Sequence, residues 1–285
     1  MTILDETYTL SNGVTIPKLG LGTWFIDDVK AAEAVRAAIE IGYRNIDTAQ
    51  AYGNERGVGE GVRTAGVARE DLFVSTKLAA EIKDHDKAVA AIDGSLEKLG
   101  LEYIDLMLIH SPQPWDDFRG GDYADGNRQA WQALEEAHGA GKIRSIGVSN
   151  FLEPDLEKIL EHGSVTPHVN QILVHAGNTP TELIAYCQAK NIVVEAYSPI
   201  AHGEILTNRA VGAIAEKYSV SVPQLCIRYT LQLGTVSLPK TANPDHMRAN
   251  AEVDFTISDH DMETLRDLTE KDYGDSAVFP VYSGK

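Results

Sequence analysis

Residues 28–49 read DVKAAEAVRAAIEIGYRNIDTA, and the hydrophobic period changes midway through the stretch. Val29, Ala32, Val35 and Ile39 recur at steps of three and four, the spacing of one helix face, and Gly42 follows as a C-terminal stop. The "YRNIDTA" that comes next is short with an apolar centre, as a strand buried on both faces would be. A helix that passes directly into a buried strand is half of a βα repeat.

The same handover recurs along the chain. KLGLGTW, LFVSTKL, YIDLMLIH, SIGVSN, HVNQI, IVVEAYSP and TVSLPK read as further buried strands, with amphipathic stretches after most of them. About eight strand-then-helix units, at a period of roughly 30 residues, favour a closed (β/α)8 TIM barrel over an open sheet or two domains. No Pro/Gly/Ser linker or low-complexity segment interrupts them, so residues 1–285 are expected to form one α/β domain. The repetition is architectural, since no sequence motif repeats as in a solenoid. Ahead of the barrel, YTLSNGVTIP places Asn12-Gly13 between two alternating runs and predicts an N-terminal β-hairpin across the barrel floor.

With 42 acidic against 25 basic residues, the formal net charge of -17 opposes phosphate backbones and anionic membranes. Nucleic acid and membrane are therefore not expected partners. Cys187 and Cys226 lie among apolar neighbours and read as buried thiols, which fits a reducing cytoplasm. The N-terminus MTILDETYTL lacks the basic and apolar regions of an export signal, and no apolar run approaches the ~20 residues of a membrane helix. A cytoplasmic monomer is expected.

Barrel chemistry sits at the C-terminal ends of the strands. Asp47 ends the second strand, Tyr52 follows in its loop, Lys77 ends LFVSTK and His110 ends YIDLMLIH. Singly, each has a structural reading: a solvated strand end, a loop anchor, a hydrogen-bonded histidine. Together they place an acid, a phenol, an ammonium and an imidazole at one mouth. A phenol holds its proton up to a pKa of about 10, too tightly for a good acid at neutral pH. Lys77 beside it would lower that value, Asp47 would keep Lys77 charged, and His110 could orient a carbonyl oxygen.

These residues lie within GYRNIDTAQAYGNE, LFVSTKL, SLEKLGLEYIDLMLIH, IGVSNF, VNQI, AYSP and LPKTANPDHMRAN, a series that resembles the aldo-keto reductases from about LSNGVTIPKLGLGTW to the end of the chain. The resemblance implies a (β/α)8 barrel that reduces small-molecule aldehydes and ketones with NADPH, or sometimes NADH, without a Rossmann fold. In agreement, RGVGEGV has the wrong glycine spacing for a dinucleotide fingerprint. The resemblance makes Asp47, Tyr52, Lys77 and His110 the catalytic set, with Tyr52 as general acid. It also assigns Ser149, Asn150 and Gln171 to the nicotinamide carboxamide and Tyr197 to the nicotinamide ring. The residues themselves leave a helix cap open for Ser149-Asn150 and core packing open for Tyr197.

By the same resemblance Lys240 and Thr241 meet the 2'-phosphate of NADPH and Asn250 meets the adenine. Two positions depart from the family pattern: His246 stands where an arginine is frequent, and Ala249 where a glutamate is. Arg248 cannot replace that arginine, because two helical positions turn a side chain by about 200°. NADPH binding through Lys240 with a reduced preference over NADH is the expectation.

Trp24 is expected to line the substrate pocket with Tyr52 and His110. Trp115 reads equally as pocket wall or as core. Ala79 and Ser111 stand where the family often carries tryptophans, which would widen the mouth. Residues 116–127, DDFRGGDYADGN, suit a solvated loop slightly better than a moving lid. The short ending AVFPVYSGK suggests small, varied substrates. Two other readings compete: a barrel aldolase using Lys77 as an imine-forming amine, which Asp47 opposes, and a nicotinamide-binding regulatory subunit with little turnover.

Overall fold

A computed structural model describes residues 2–269 and 273–283. Two short antiparallel strands, β1 (Thr7–Thr9) and β2 (Thr15–Pro17), form the expected hairpin. Its turn is tightened by Leu10 and Val14 pairing around Ser11-Asn12-Gly13, with Gly13 at φ 86°. Asn12 Nδ2 then donates to Arg144 O at 3.0 Å, which fixes the hairpin at the lower edge of the barrel.

Eight parallel strands follow: β3 (Gly20–Gly22), β4 (Asn45–Asp47), β5 (Phe73–Leu78), β6 (Ile104–Ile109), β7 (Ile143–Ser149), β8 (Val169–Leu173), β9 (Val193–Tyr197) and β10 (Val236–Leu238). They pair in chain order, and parallel bridges Leu19↔Ser237 and Gly22↔Lys240 join the last strand to the first. The result is the (β/α)8 barrel expected from the sequence. Leu10 and Ile16 of the hairpin pack against Phe73, Leu106, Val169 and Val236, so an apolar plug fills the floor.

Helices α1 (Asp28–Ile41), α2 (Glu55–Thr64), α3 (His85–Leu99), α4 (Ala124–Gly139), α5 (Glu153–His162) and α6 (Thr181–Ala189) alternate with the strands. Four more follow: α7 (Arg209–Lys217), α8 (Val222–Gln232), α9 (Pro244–Ala251) and α10 (Asp259–Asp267). On α1 the buried face is Ala31, Ala32, Ala34, Val35, Ala38 and Ile39, and Gly42 closes the helix at φ 121°. Val29 departs from the sequence reading: it lies in the first turn, before the helix reaches the barrel, and is 79% exposed.

The glycines of RGVGEGV also find their reason here. A Cβ at Gly57 would stand 2.0 Å from Asp28 O, and one at Gly59 2.0 Å from Leu99 O. They let α2 press directly onto its neighbours α1 and α3.

Candidate active site

Because strand side chains alternate, the last inward position of each strand faces the mouth. Asp47 ends β4, Lys77 lies one residue from the end of β5, and His110 follows β6 directly. Tyr52 arrives on a single 3-10 turn, Gln50–Tyr52, after β4. Asn54 holds that turn in place, accepting from Thr48 Oγ1 at 2.6 Å and donating to Thr23 O and Ile26 O at 2.9 Å each. One buried amide therefore ties the loop carrying Tyr52 to the loop carrying Trp24.

Lys77 is fully buried, and its Nζ lies 2.8 and 2.7 Å from the two Asp47 oxygens, 2.9 Å from Thr48 O and 3.3 Å from the Tyr52 hydroxyl. Burial pulls the Lys77 pKa down, but Asp47 and Tyr52 outweigh it and leave the value raised. It is an ammonium, not a free amine.

Tyr52 departs from the sequence expectation. Burial raises its phenol above the ordinary range; Lys77 acts to lower it, and the Asp47 charge pushes it back up. The ion pair is close to neutral as a whole, so it cannot offset the desolvation of a phenolate. His110 is held well below the ordinary histidine value by burial, then by Lys77 and Lys83, and is a neutral imidazole. Its Nδ1 is buried without a partner.

Asp47, Tyr52 and His110 border one cavity of about 500 Å³, with Lys77 buried behind them. Trp24, Tyr52, His110, Trp115, Ser149, Gln171, Tyr197 and Lys240 are among its lining residues. Trp115 is pocket wall, its ring edge-on to His110 at 5.0 Å between centroids. Neither Ala79 nor Ser111 borders the cavity, and Ser111 is fully buried.

Ser149 Oγ donates to Gln171 O at 2.9 Å and accepts from Asn150 Nδ2. Asn150, at φ 62°, also donates to His110 O and accepts from the Tyr197 hydroxyl at 2.7 Å. The Asn150 amide is thus spent on positioning His110 and Tyr197. Gln171 Oε1 has no partner among the described residues, which suits a polar ligand group in the cavity. Lys240 is exposed at the rim, while Thr241 and Asn250 are buried and His246 is exposed, these three outside the cavity wall. Arg248 pairs with Asp245 at 3.3 Å, in keeping with its different helix face.

Several features escaped the sequence reading. Glu195 is buried beside Gln171. The segment 274–282 folds over the mouth, where Phe279 meets Trp24 at 5.1 Å and Tyr282 hydrogen-bonds Ser198 and His202. Short as it is, this ending forms a wall of the pocket; its last two residues lie outside the described ones. The expected loop 116–127 is helical from Ala124 onward; before that, Asp117 accepts from Gly121 N and from the Tyr123 hydroxyl, and Arg119 donates to Asn150 O at 3.0 Å. That pinning is more than a solvated loop requires.

Comparisons with known proteins agree with the resemblance read from the sequence. The aldo/keto reductase family model matches residues 18–270. A glyoxal reductase of Bacillus subtilis is 42% identical over 273 residues, covering 95% of both chains. The 9,11-endoperoxide prostaglandin H2 reductase of Trypanosoma cruzi is 41% identical, covering 92% of this chain and 91% of that one. A crystal structure of a Bombyx mori aldo-keto reductase in complex with NADP superposes with a TM-score of 0.85 at 35% identity, covering 97% and 98% of the two chains.

This chain belongs to the aldo/keto reductase family. It is an NAD(P)H-dependent oxidoreductase. Among the described residues, no helix is long and apolar enough to cross a membrane.

Proposed function

We propose that the protein reduces small aldehydes and ketones, including α-dicarbonyls and keto sugars, to alcohols, preferring NADPH but accepting NADH. The observation that carries this reading is the Tyr52 hydroxyl held 3.3 Å from Lys77 Nζ on the wall of a cavity shared with His110. The 42% identity to a glyoxal reductase supports α-dicarbonyls among the substrates. Residues 1–285 act as one domain in this reading, a cytoplasmic monomer whose two free, buried cysteines suit a reducing compartment.

The cavity offers a nicotinamide ring the Tyr197 side and the Gln171 amide oxygen, with Lys240 at the rim for phosphate. When bound, that cofactor supplies the hydride. Neutral His110 donates an N–H to the substrate carbonyl oxygen and orients it. Tyr52 keeps its proton until negative charge builds on that oxygen, and then gives it up, since an alkoxide is a far stronger base than a phenolate. Lys77 stabilises the phenolate left behind, and Asp47 keeps Lys77 charged and aimed. Phe279 and Trp24 exclude water above the reacting atoms.

Steady-state oxidation of NADPH and NADH against a panel of aldehydes, α-dicarbonyls and keto sugars tests the reading. Multiple turnovers with at least one carbonyl class are expected. A reaction that stalls near one turnover per bound cofactor would instead define a binding module. Borohydride trapping of a substrate on Lys77 would establish the aldolase, an outcome the charged state of Lys77 opposes.

A further inference from the structure

Glu195 lies two residues before Tyr197 on β9, with no exposed surface. Strand register sets it beside Gln171 of β8 and Val236 of β10. Gln171 Nε2 donates to Asp47 Oδ1 at 2.9 Å and to Glu195 Oε2 at 2.9 Å. Only the nitrogen end of an amide can donate to two carboxyl oxygens, so the Gln171 amide has one orientation. Its oxygen is the end left for the cavity.

The far side of Glu195 carries a second clue. Glu195 Oε1 and Asn45 Oδ1 are both buried and without a partner. The Asn45 side chain lies within hydrogen-bonding reach of Glu195, while its Nδ2 donates to Pro17 O at 3.3 Å. With Glu195 ionised, both buried acceptors would go unsatisfied, a costly arrangement. A single proton on Glu195 Oε1, donated to Asn45 Oδ1, satisfies both.

We propose that Glu195 is a buried, protonated carboxylic acid that positions Gln171, fixing the Gln171 amide oxygen to accept the N–H of a carboxamide in the cavity. The carboxamide half rests on the nicotinamide reading above; the proton does not. A directional chain results: Glu195 donates to Asn45, Gln171 donates to Glu195 and Asp47, and Lys77 donates to Asp47 and Tyr52. The charged groups facing Glu195 are Asp47 on β4 and Lys77 on β5; Gln171, Asn45 and Val236 are its uncharged neighbours. Burial, with the Asp47 charge added, pushes the Glu195 carboxyl up to about 7.

The test compares wild type with Glu195→Gln and Glu195→Leu. Infrared difference spectra at about pH 6, below the value that burial sets for this carboxyl, should show the C=O stretch of a protonated acid in wild type and its loss in Glu195→Gln. Binding is read with NADH, which lacks the titrating 2'-phosphate. Glu195→Gln reproduces the neutral acid, accepting from Gln171 and donating to Asn45, and should keep the wild-type dissociation constant while removing its weakening above about pH 7. Glu195→Leu removes one of the two acceptors that aim the Gln171 amide, leaving Asp47 alone to hold it, and should weaken NADH by about tenfold.

Absence of the protonated-acid band, wild-type binding by Glu195→Leu, or equal weakness of both variants would overturn the proposal. Should Glu195→Leu fail to fold, the band and the Glu195→Gln pH profile decide it. If the band is present but wild type binds neither NADH nor NADPH, the nicotinamide reading fails and the protonated acid stands.

Discussion

Lys77 Nζ sits 2.7 and 2.8 Å from both carboxylate oxygens of Asp47, with no exposed side-chain surface on the lysine and 5% on the acid. So little surface is left that water is a poor substitute for either partner, and each charge depends on the other. Lys77→Met leaves Asp47 buried beside apolar atoms and should destabilise the fold by about 3–5 kcal/mol, read as a lower urea midpoint. Asp47→Asn should lose activity through a misaimed lysine. An unchanged urea midpoint in Lys77→Met would mean that solvent reaches the pair.

Tyr52→Phe keeps the ring that packs 6.2 Å from Trp24 and removes only the hydroxyl. The expected loss is about 10²–10⁴ in carbonyl reduction, the usual worth of a positioned acid. Cofactor affinity, followed by fluorescence titration, should be unchanged. Turnover at the wild-type rate would remove Tyr52 from the chemistry.

Cofactor choice depends on exposed charges at the rim. Lys240→Met should cut kcat/KM for NADPH by about tenfold or more, as expected for losing a charged hydrogen bond, and leave NADH nearly untouched. His246→Arg adds a guanidinium fork on exposed helix surface and should move the ratio toward NADPH. Wild type should prefer NADPH by less than about a thousandfold; a larger ratio would show that His246 costs nothing.

Acid should destabilise the protein through its histidines. Burial holds His110, His168 and His202 below the ordinary value, so below about pH 6.5 the unfolded chain takes up protons that the folded chain refuses. Their contribution is fully present above that pH and is lost as the pH falls. Glu195 has the opposite sign, because its raised pKa favours the folded state below the ordinary carboxylate range, a preference lost as pH rises through about 7. A Tm series between about pH 5 and 8 should show the net fall on acidification, reduced in His168→Asn.

The local pattern of the chain sets the eight strands, the helices between them and the placing of Asp47, Tyr52, Lys77 and His110 at the strand ends. Alternation and helical period are properties of neighbours within a few residues. Val29 obeys that periodicity and is still exposed, because period gives the face of a helix and not the depth at which it meets a barrel.

Ring closure and burial decided the rest. Asp47 and Gln171 meet across 124 residues of chain, and Glu195 joins them only through the register of β8 against β9. The sign of the Tyr52 shift was likewise tertiary, since the desolvation that governs it depends on what covers the ring. So did the wall built by Phe279 and Tyr282, whose sequence carries no period at all. Sequence determines which side chains stand at the mouth; packing determines their protonation and their partners, because both depend on distance through space and on exclusion of water.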